Sequence, residues 1–393
     1  MTDAPPSASR VRTVTARAAR IVPRHASRVD TTGRVRPNSA MSSTHRDLIA
    51  RLGIRYPILQ APMAGGPTTP ALVAAVSQAG GLGNLGGAYL TPEPLREAIR
   101  AVRDLTDRPF GVNLFAHLPS EPADPAHTAD LDRALAARRK SLGLPMPAAE
   151  RGAAQADQVH DQIQVIADER VPVFSYTFGI LDASDAAATG TAVLGTATSV
   201  AEARALAEAG VDAVIAQGAE AGGHRGSFLT PFAEAQVGTI ALVPQVVDAV
   251  DVPVIAAGGI GDGRGVAAAL ALGAQAAALG TAFLRCPESG APQTSKRALG
   301  QACDTSTIVT DRFTGRPARG LRNTLLADLE AAGVPPAPFP AQGALIADLR
   351  AEALRRDEPE LMVIWSGQAA ALSRPEPAGE VVRRLAAEAD LDA

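Results

Sequence analysis

From Tyr56 onward, short apolar runs alternate with alanine-rich amphipathic stretches of helical length. That alternation predicts parallel strands joined by crossover helices, because each helix covers one face of the sheet and returns the chain in the same direction. Eight strand candidates fall at residues 57–61, 82–85, 110–114, 171–176, 192–196, 213–216, 252–256 and 276–279. Helical patterns occupy residues 70–79, 93–105, 154–169, 200–209 and 265–272. Several of these end at glycine, as in Ala79-Gly80-Gly81, Ala209-Gly210 and Leu272-Gly273, where a helix exit favours the left-handed conformation. Eight such units predict a closed (β/α)8 TIM barrel rather than a doubly wound open sheet, which usually has five or six strands.

Two segments break the repeat. Residues 116–151, rich in Pro, Ala and Arg, read as a helical insertion, and residues 301–368 read as a small, mostly helical lid over the barrel mouth. The expected organisation is a tail over 1–40, a barrel over 41–300, that lid, and a terminal helix within 369–393, centred on 377–391. The tail carries eight arginines, no lysine, and only Asp3 and Asp30 as acids. So little apolar surface predicts little order. Its bias imitates a mitochondrial presequence and lacks the apolar core of a secretory signal. The expectation is a flexible, dispensable extension ahead of a working start at Met41.

Composition narrows the function classes. A chain with 46% hydrophobic and 20% charged residues is expected to be a globular enzyme. A formal net charge of −4 offers no excess of basic residues for nucleic acid or acidic membrane surfaces. Cys286 and Cys303 are too few for a disulfide framework or a cysteine-rich metal site, which suits a reducing cytoplasm, and no metal site is expected. No apolar stretch approaches the roughly 20 residues that cross a bilayer; residues 266–284 read as a helix, a turn and a strand.

The densest chemistry lies at the end of the barrel. Ala256-Ala-Gly-Gly-Ile-Gly-Asp-Gly-Arg-Gly265 follows strand candidate seven, and Leu279-Gly-Thr-Ala282 closes candidate eight, where barrels bind phosphate. Gly258 and Gly259 let the backbone approach an anion, the helix that follows is expected to offer free N–H groups, and Gly280 and Thr281 close the pocket. Other strand ends carry unusual groups: Pro62-Met63-Ala64-Gly-Gly66, Asn113 and Gln217. Amides supply paired donors and acceptors, as the pyrimidine edge of a flavin requires. Taken singly, Asn113 also reads as a strand cap and Gln217 as an amide satisfied by its own loop.

After strand candidate six comes Gln217-Gly-Ala-Glu-Ala-Gly-Gly-His-Arg-Gly226, a glycine-dense loop with one imidazole. A single histidine is more often structural than catalytic, but His224 sits above the barrel mouth with a titration available near neutrality.

At this point the sequence resembles the bacterial class I nitronate monooxygenases, formerly called 2-nitropropane dioxygenases. The resemblance runs from about residue 48 to 368 through Tyr56-Pro-Ile-Leu-Gln-Ala-Pro-Met-Ala-Gly-Gly66, Phe110-Gly-Val-Asn-Leu-Phe115, Phe174-Ser-Tyr-Thr-Phe-Gly179, the 217–226 loop, the 256–265 patch and Leu279-Gly-Thr-Ala-Phe283. It implies noncovalent FMN, an alkyl nitronate such as propionate 3-nitronate, O2 as co-substrate, and a carbonyl compound and nitrite as products, with detoxification of nitro compounds as the purpose. It implies flavin contacts at Met63, Ala64, Asn113, Gln217, Gly222, Gly223, Gly258, Gly259, Leu279, Gly280 and Thr281, and a catalytic role for His224. A protonated His224 would stabilise the nitronate or the reduced flavin, and a neutral one would take a proton from a nitroalkane; both stay open. The family patch often has alanine where Gly261 stands, and Trp365-Ser-Gly-Gln368 is similar to the family's closing segment or serves as packing. Two other readings share the glycine-rich features: an FMN-dependent enoyl-acyl-carrier-protein reductase using NAD(P)H, and a barrel that binds flavin without catalysis. Oligomeric state is open.

Overall fold

The computed structural model describes residues 47–116, 122–147 and 158–392. The expected 1–40 tail, both flanks of the 116–151 insertion and the start of the 154–169 helix lie outside the described residues.

Eight parallel strands form the barrel: β1 (Ile58–Gln60), β2 (Gly83–Gly86), β3 (Phe110–Phe115), β4 (Val173–Thr177), β5 (Ala192–Ala197), β6 (Ala213–Gln217), β8 (Val254–Ala257) and β9 (Ala276–Leu279). Their order is β1-β9-β8-β6-β5-β4-β3-β2. The ring closes where Gln60 N donates to Leu82 O at 2.9 Å and Leu82 N to Ile58 O at 3.0 Å.

Strand side chains alternate between two cores, as the period of two demands. Leu194, Ile255, Ala276 and Ala278 point into the barrel, where Leu48 and Leu52 of the first helix join them. Val193, Val254, Ala277 and Leu279 face the surrounding helices. A helix the periodicity did not reveal, Thr239–Ala249, precedes β8. Pro244 inside it removes one ladder donor and disguises the pattern. Where Gly210 ends the preceding helix its φ of 86° is the left-handed exit.

A third core lies outside the barrel. Leu131 and Leu135 of the insertion helix Pro125–Ser141 pack with Phe313, Leu325, Leu345 and Ile364 of the segment after residue 300. That segment is mostly helical, as expected, yet it also contains β10 (Thr307–Thr310) and β11 (Ala318–Leu321), which the helical reading did not include. β10, β11 and a two-residue strand, β7 (Gly223–His224), make an antiparallel sheet in the order β10-β11-β7. Strands of two to four residues are too short for a legible alternation. Among the described residues, no helix is long and apolar enough to cross a membrane.

Candidate active site

A cavity of about 790 Å³ opens at the carboxyl ends of the barrel strands, within the range of small-molecule and cofactor sites. Small side chains make the room: Ala61, Ala257 and Ala278 line it where larger residues would fill the barrel top. The sequence-expected residues Met63, Ala64, Asn113, Gln217, Gly222 and Gly223 line it as well. His224, Gly258, Gly259, Gly280 and Thr281 complete that set. Leu279 does not reach the cavity; its side chain falls on the helix-facing side of β9 and its carbonyl accepts from Ala61 N at 2.8 Å.

The glycine cradle is built from close approaches. Gly258 and Gly259 have φ of 111° and 71°, and a Cβ on Gly259 would lie 3.1 Å from Glu220 Cβ. A Cβ on Gly222 would come within 2.5 Å of Gly367 N. Thr281 Oγ1 accepts from Gly367 N at 2.9 Å, so the closing segment rests directly on this end of the cavity. One expectation is corrected. The helix after β8, Gly263–Ala271, has its first donors occupied: Asp262 accepts from Gly265 N at 3.2 Å and Glu388 from Gly263 N at 2.8 Å. Two carboxylates at that terminus oppose an anion, which leaves the glycine backbone itself as the cradle.

Gln217 and Asn113 are held by protein partners. Gln217 Nε2 donates to His224 O at 3.0 Å, and its Oε1 accepts from Gly226 N at 2.8 Å and Arg225 Nη1 at 3.0 Å. Its amide therefore organises its own loop. Asn113 Nδ2 donates to Ser175 Oγ at 3.0 Å. Arg225, 1% exposed, also donates to Gly218 O at 2.6 Å and Ala235 O at 2.9 Å. The residue drew no notice in the sequence, yet it fastens the loop that presents His224.

β7 fixes the imidazole from the other side. His224 pairs with Ala318 and Gly223 with Arg319, so the catalytic candidate belongs to a strand of the covering sheet and not to a free loop. Its ring sits among Phe339 at 5.1 Å, Trp365 at 5.3 Å, Phe178 at 6.0 Å and Phe115 at 6.3 Å between centroids. Nε2 lies 2.9 Å from Thr314 Oγ1. Burial, with the nearby Arg316 charge, pushes His224 down to about 3, which makes it neutral at pH 7. Arg316 donates to Ser227 O at 2.6 Å and stacks 3.9 Å from the Phe178 centroid. Phe178 itself holds φ at 82°, a conformation a side chain adopts at a cost of about 1–3 kcal/mol and keeps only where packing enforces it.

The sequence had pointed to Trp365 through the 365–368 motif. It carried no signal for Thr314 or Arg350. Arg350 lines the cavity from the helix Ala347–Arg356 and has no carboxylate within ion-pair distance among the described residues. On an exposed helix rich in charge, nothing local separates it from its solvated neighbours.

Comparison with known proteins agrees with this geometry. Residues 46–388 match the family model described as nitronate monooxygenase. A probable nitronate monooxygenase of Staphylococcus aureus (strain Newman) is 41% identical over 343 residues, spanning 86% of this chain and 95% of that protein. The structure of nitroalkane oxidase from Streptomyces ansochromogenes superposes with a TM-score of 0.79 at 41% identity, covering 86% of this chain and 96% of the other. FabK from Thermotoga maritima superposes with a TM-score of 0.67 at 32% identity, over 88% and 96% of the two chains. A match over nearly the whole length, joined to a barrel of the same architecture, means that the chain belongs to the nitronate monooxygenase family and is an oxidoreductase.

Proposed function

We propose that the protein uses FMN to oxidise alkyl nitronates, with propionate 3-nitronate as the representative substrate, consuming O2 and releasing a carbonyl compound and nitrite. The observation that carries this reading is a single imidazole, His224, walled by Phe115, Phe178, Phe339 and Trp365 at the cavity that the glycine backbone lines.

The residues fit the cofactor. Gly258, Gly259 and Gly280 line the cavity with bare backbone, as the phosphate end of FMN requires, Gly258 and Gly259 being confined to glycine by positive φ and by close packing on residues 218–221 and Thr239. The short side chains of Ala61, Ala257 and Ala278 leave a slot over the barrel. FMN, when bound, would accept electrons from the substrate. The protein's own part is positioning and exclusion. The aromatic wall keeps water from the reacting carbon, and a dry surround strengthens each polar contact. Arg350 supplies a cation able to pair with the carboxylate of propionate 3-nitronate. A nitronate is already a carbanion equivalent, so its oxidation needs no strong base. Residues 301–368 serve in this reading as the cover that completes the pocket.

The first test is the absorbance spectrum of the purified protein, followed by anaerobic mixing. Bleaching of a yellow protein by propionate 3-nitronate, and not by NADPH, is the expected result. Bleaching by NADPH would instead assign a reductase, and no response to either would assign a flavin binder without catalysis. His224→Asn is expected to keep FMN while lowering turnover of nitroethane, which must first lose a proton, by about 10²–10⁴-fold; undiminished nitroethane turnover would remove His224 from the mechanism.

A further inference from the structure

Thr314 lies in the turn between β10 and β11 and is 9% exposed. Its hydroxyl oxygen is 2.9 Å from His224 Nε2 and 3.2 Å from the Arg316 carbonyl oxygen. A hydroxyl has one proton to give, and a carbonyl only accepts. No other donor reaches the Arg316 carbonyl among the described residues. Spending the proton on that carbonyl satisfies both oxygens, provided the imidazole donates from Nε2. Spending it on Nε2 would leave the half-buried carbonyl without a protein donor among the described residues.

The turn is rigid enough to impose this choice. Thr314 N donates to Asp311 O at 3.2 Å and Gly315 N to the same oxygen at 2.7 Å. Gln342 braces it from outside, accepting from Ala337 N and donating to Arg312 O, both at 2.9 Å. The other neighbours of the imidazole are aromatic rings and the Arg316 guanidinium, which offer no competing acceptor. His224 Nδ1 has no hydrogen-bond partner among the described residues.

We infer that Thr314 is a positioning residue that holds the His224 proton on Nε2 and thereby makes Nδ1 the nitrogen that meets the substrate. This rests on the functional reading above, in which His224 faces the chemistry, and adds which of its atoms does so. Toward a neutral nitroalkane, the Nδ1 lone pair takes the proton from the carbon bearing the nitro group. The C–H electron pair moves into the nitro group to give the nitronate, a new N–H forms at Nδ1, and the imidazolium keeps its Nε2–H on Thr314, the negative nitronate beside it offsetting the burial and the Arg316 charge that otherwise oppose that cation. A preformed nitronate skips that step.

The test is long-range ¹H–¹⁵N spectroscopy of the purified protein labelled at its six histidines, at pH 7, with His224 assigned by its loss in His224→Asn. The expected spectrum has a protonated Nε2 and a bare Nδ1. In Thr314→Val the proton is expected to redistribute toward Nδ1, and in Thr314→Ser to stay on Nε2. With nitroethane, Thr314→Val is expected to lose at least tenfold in kcat, with ethyl nitronate oxidation affected less, and Thr314→Ser to restore the first. A wild-type protein with its proton on Nδ1, or a tautomer unmoved by Thr314→Val, would overturn the inference. The tautomer is read without turnover, so a protein with Nε2–H and no nitronate oxidation would sink the functional reading alone.

Discussion

Arg139 Nε lies 2.7 Å from Asp348 Oδ2 across 209 positions of sequence, joining the insertion helix Pro125–Ser141 to the helix Ala347–Arg356 that carries Arg350. Arg139 is 1% exposed, reaches Asp132 at 3.0 Å and donates to Leu345 O at 3.1 Å. Removing the guanidinium takes its charge away from Asp132, which is buried, and from Asp348, which is partly exposed. Arg139→Met is expected to lower stability by about 3–5 kcal/mol, the usual cost of breaking a buried pair from one side. Urea midpoints of wild type and variant check it; an unchanged midpoint would show that the two segments cohere through Leu131, Leu135 and their apolar partners alone.

Arg350 should separate substrates by charge. Arg350→Met is expected to raise KM for propionate 3-nitronate by about 10–100-fold, the equivalent of one charge-assisted hydrogen bond, while leaving ethyl nitronate, which has no carboxylate, nearly unaffected. Steady-state kinetics with both substrates read the difference directly. Equal losses with both would place Arg350 in the scaffold and not in substrate recognition.

Backbone geometry predicts the cofactor's sensitivity. At Gly259, with φ of 71°, any side chain incurs about 1–2 kcal/mol of left-handed strain, and a branched one also meets Glu220 Cβ. Gly259→Val is therefore expected to weaken FMN binding at least tenfold, measured by quenching of FMN fluorescence on titration, with the far-ultraviolet circular dichroism of a folded barrel retained. Wild-type affinity in that variant would place the phosphate elsewhere.

The neutral His224 also leaves a mark on stability. Its folded value is about 3 because burial and then Arg316 oppose the imidazolium, whereas an unfolded chain protonates near 6.5. Between those values the unfolded state binds a proton that the folded state refuses. Stability from this group is therefore full above about pH 6.5 and declines as pH falls toward 3. His224→Asn should show a smaller loss of urea midpoint between pH 7 and pH 5 than wild type. Parallel losses in the two proteins would mean that the folded imidazole already titrates in that window.

Much of this protein is written locally. The period of two in the strands, the longer period of the helices and the glycines at helix exits are properties of neighbouring residues, so the eight-unit barrel could be read from the chain, as could the glycine patches and the 217–226 loop. What tertiary structure alone decided is whatever depends on contacts between distant segments. β7 exists because two residues of the His224 loop pair with β11 nearly a hundred positions later. Whether Gln217 faces a ligand or its own loop depended on the distance to Gly226 N and Arg225, which no pattern encodes. Leu279 turned away from the cavity because the side-chain alternation of β9 placed Ala278 inward. Thr314 and Arg350 acquire meaning only because the segment after residue 300 lines the same cavity as the barrel strand ends, setting a hydroxyl against an imidazole and a guanidinium at the cavity. Long-range contacts of this kind arise from packing over the whole chain, and a single sequence does not expose them in advance.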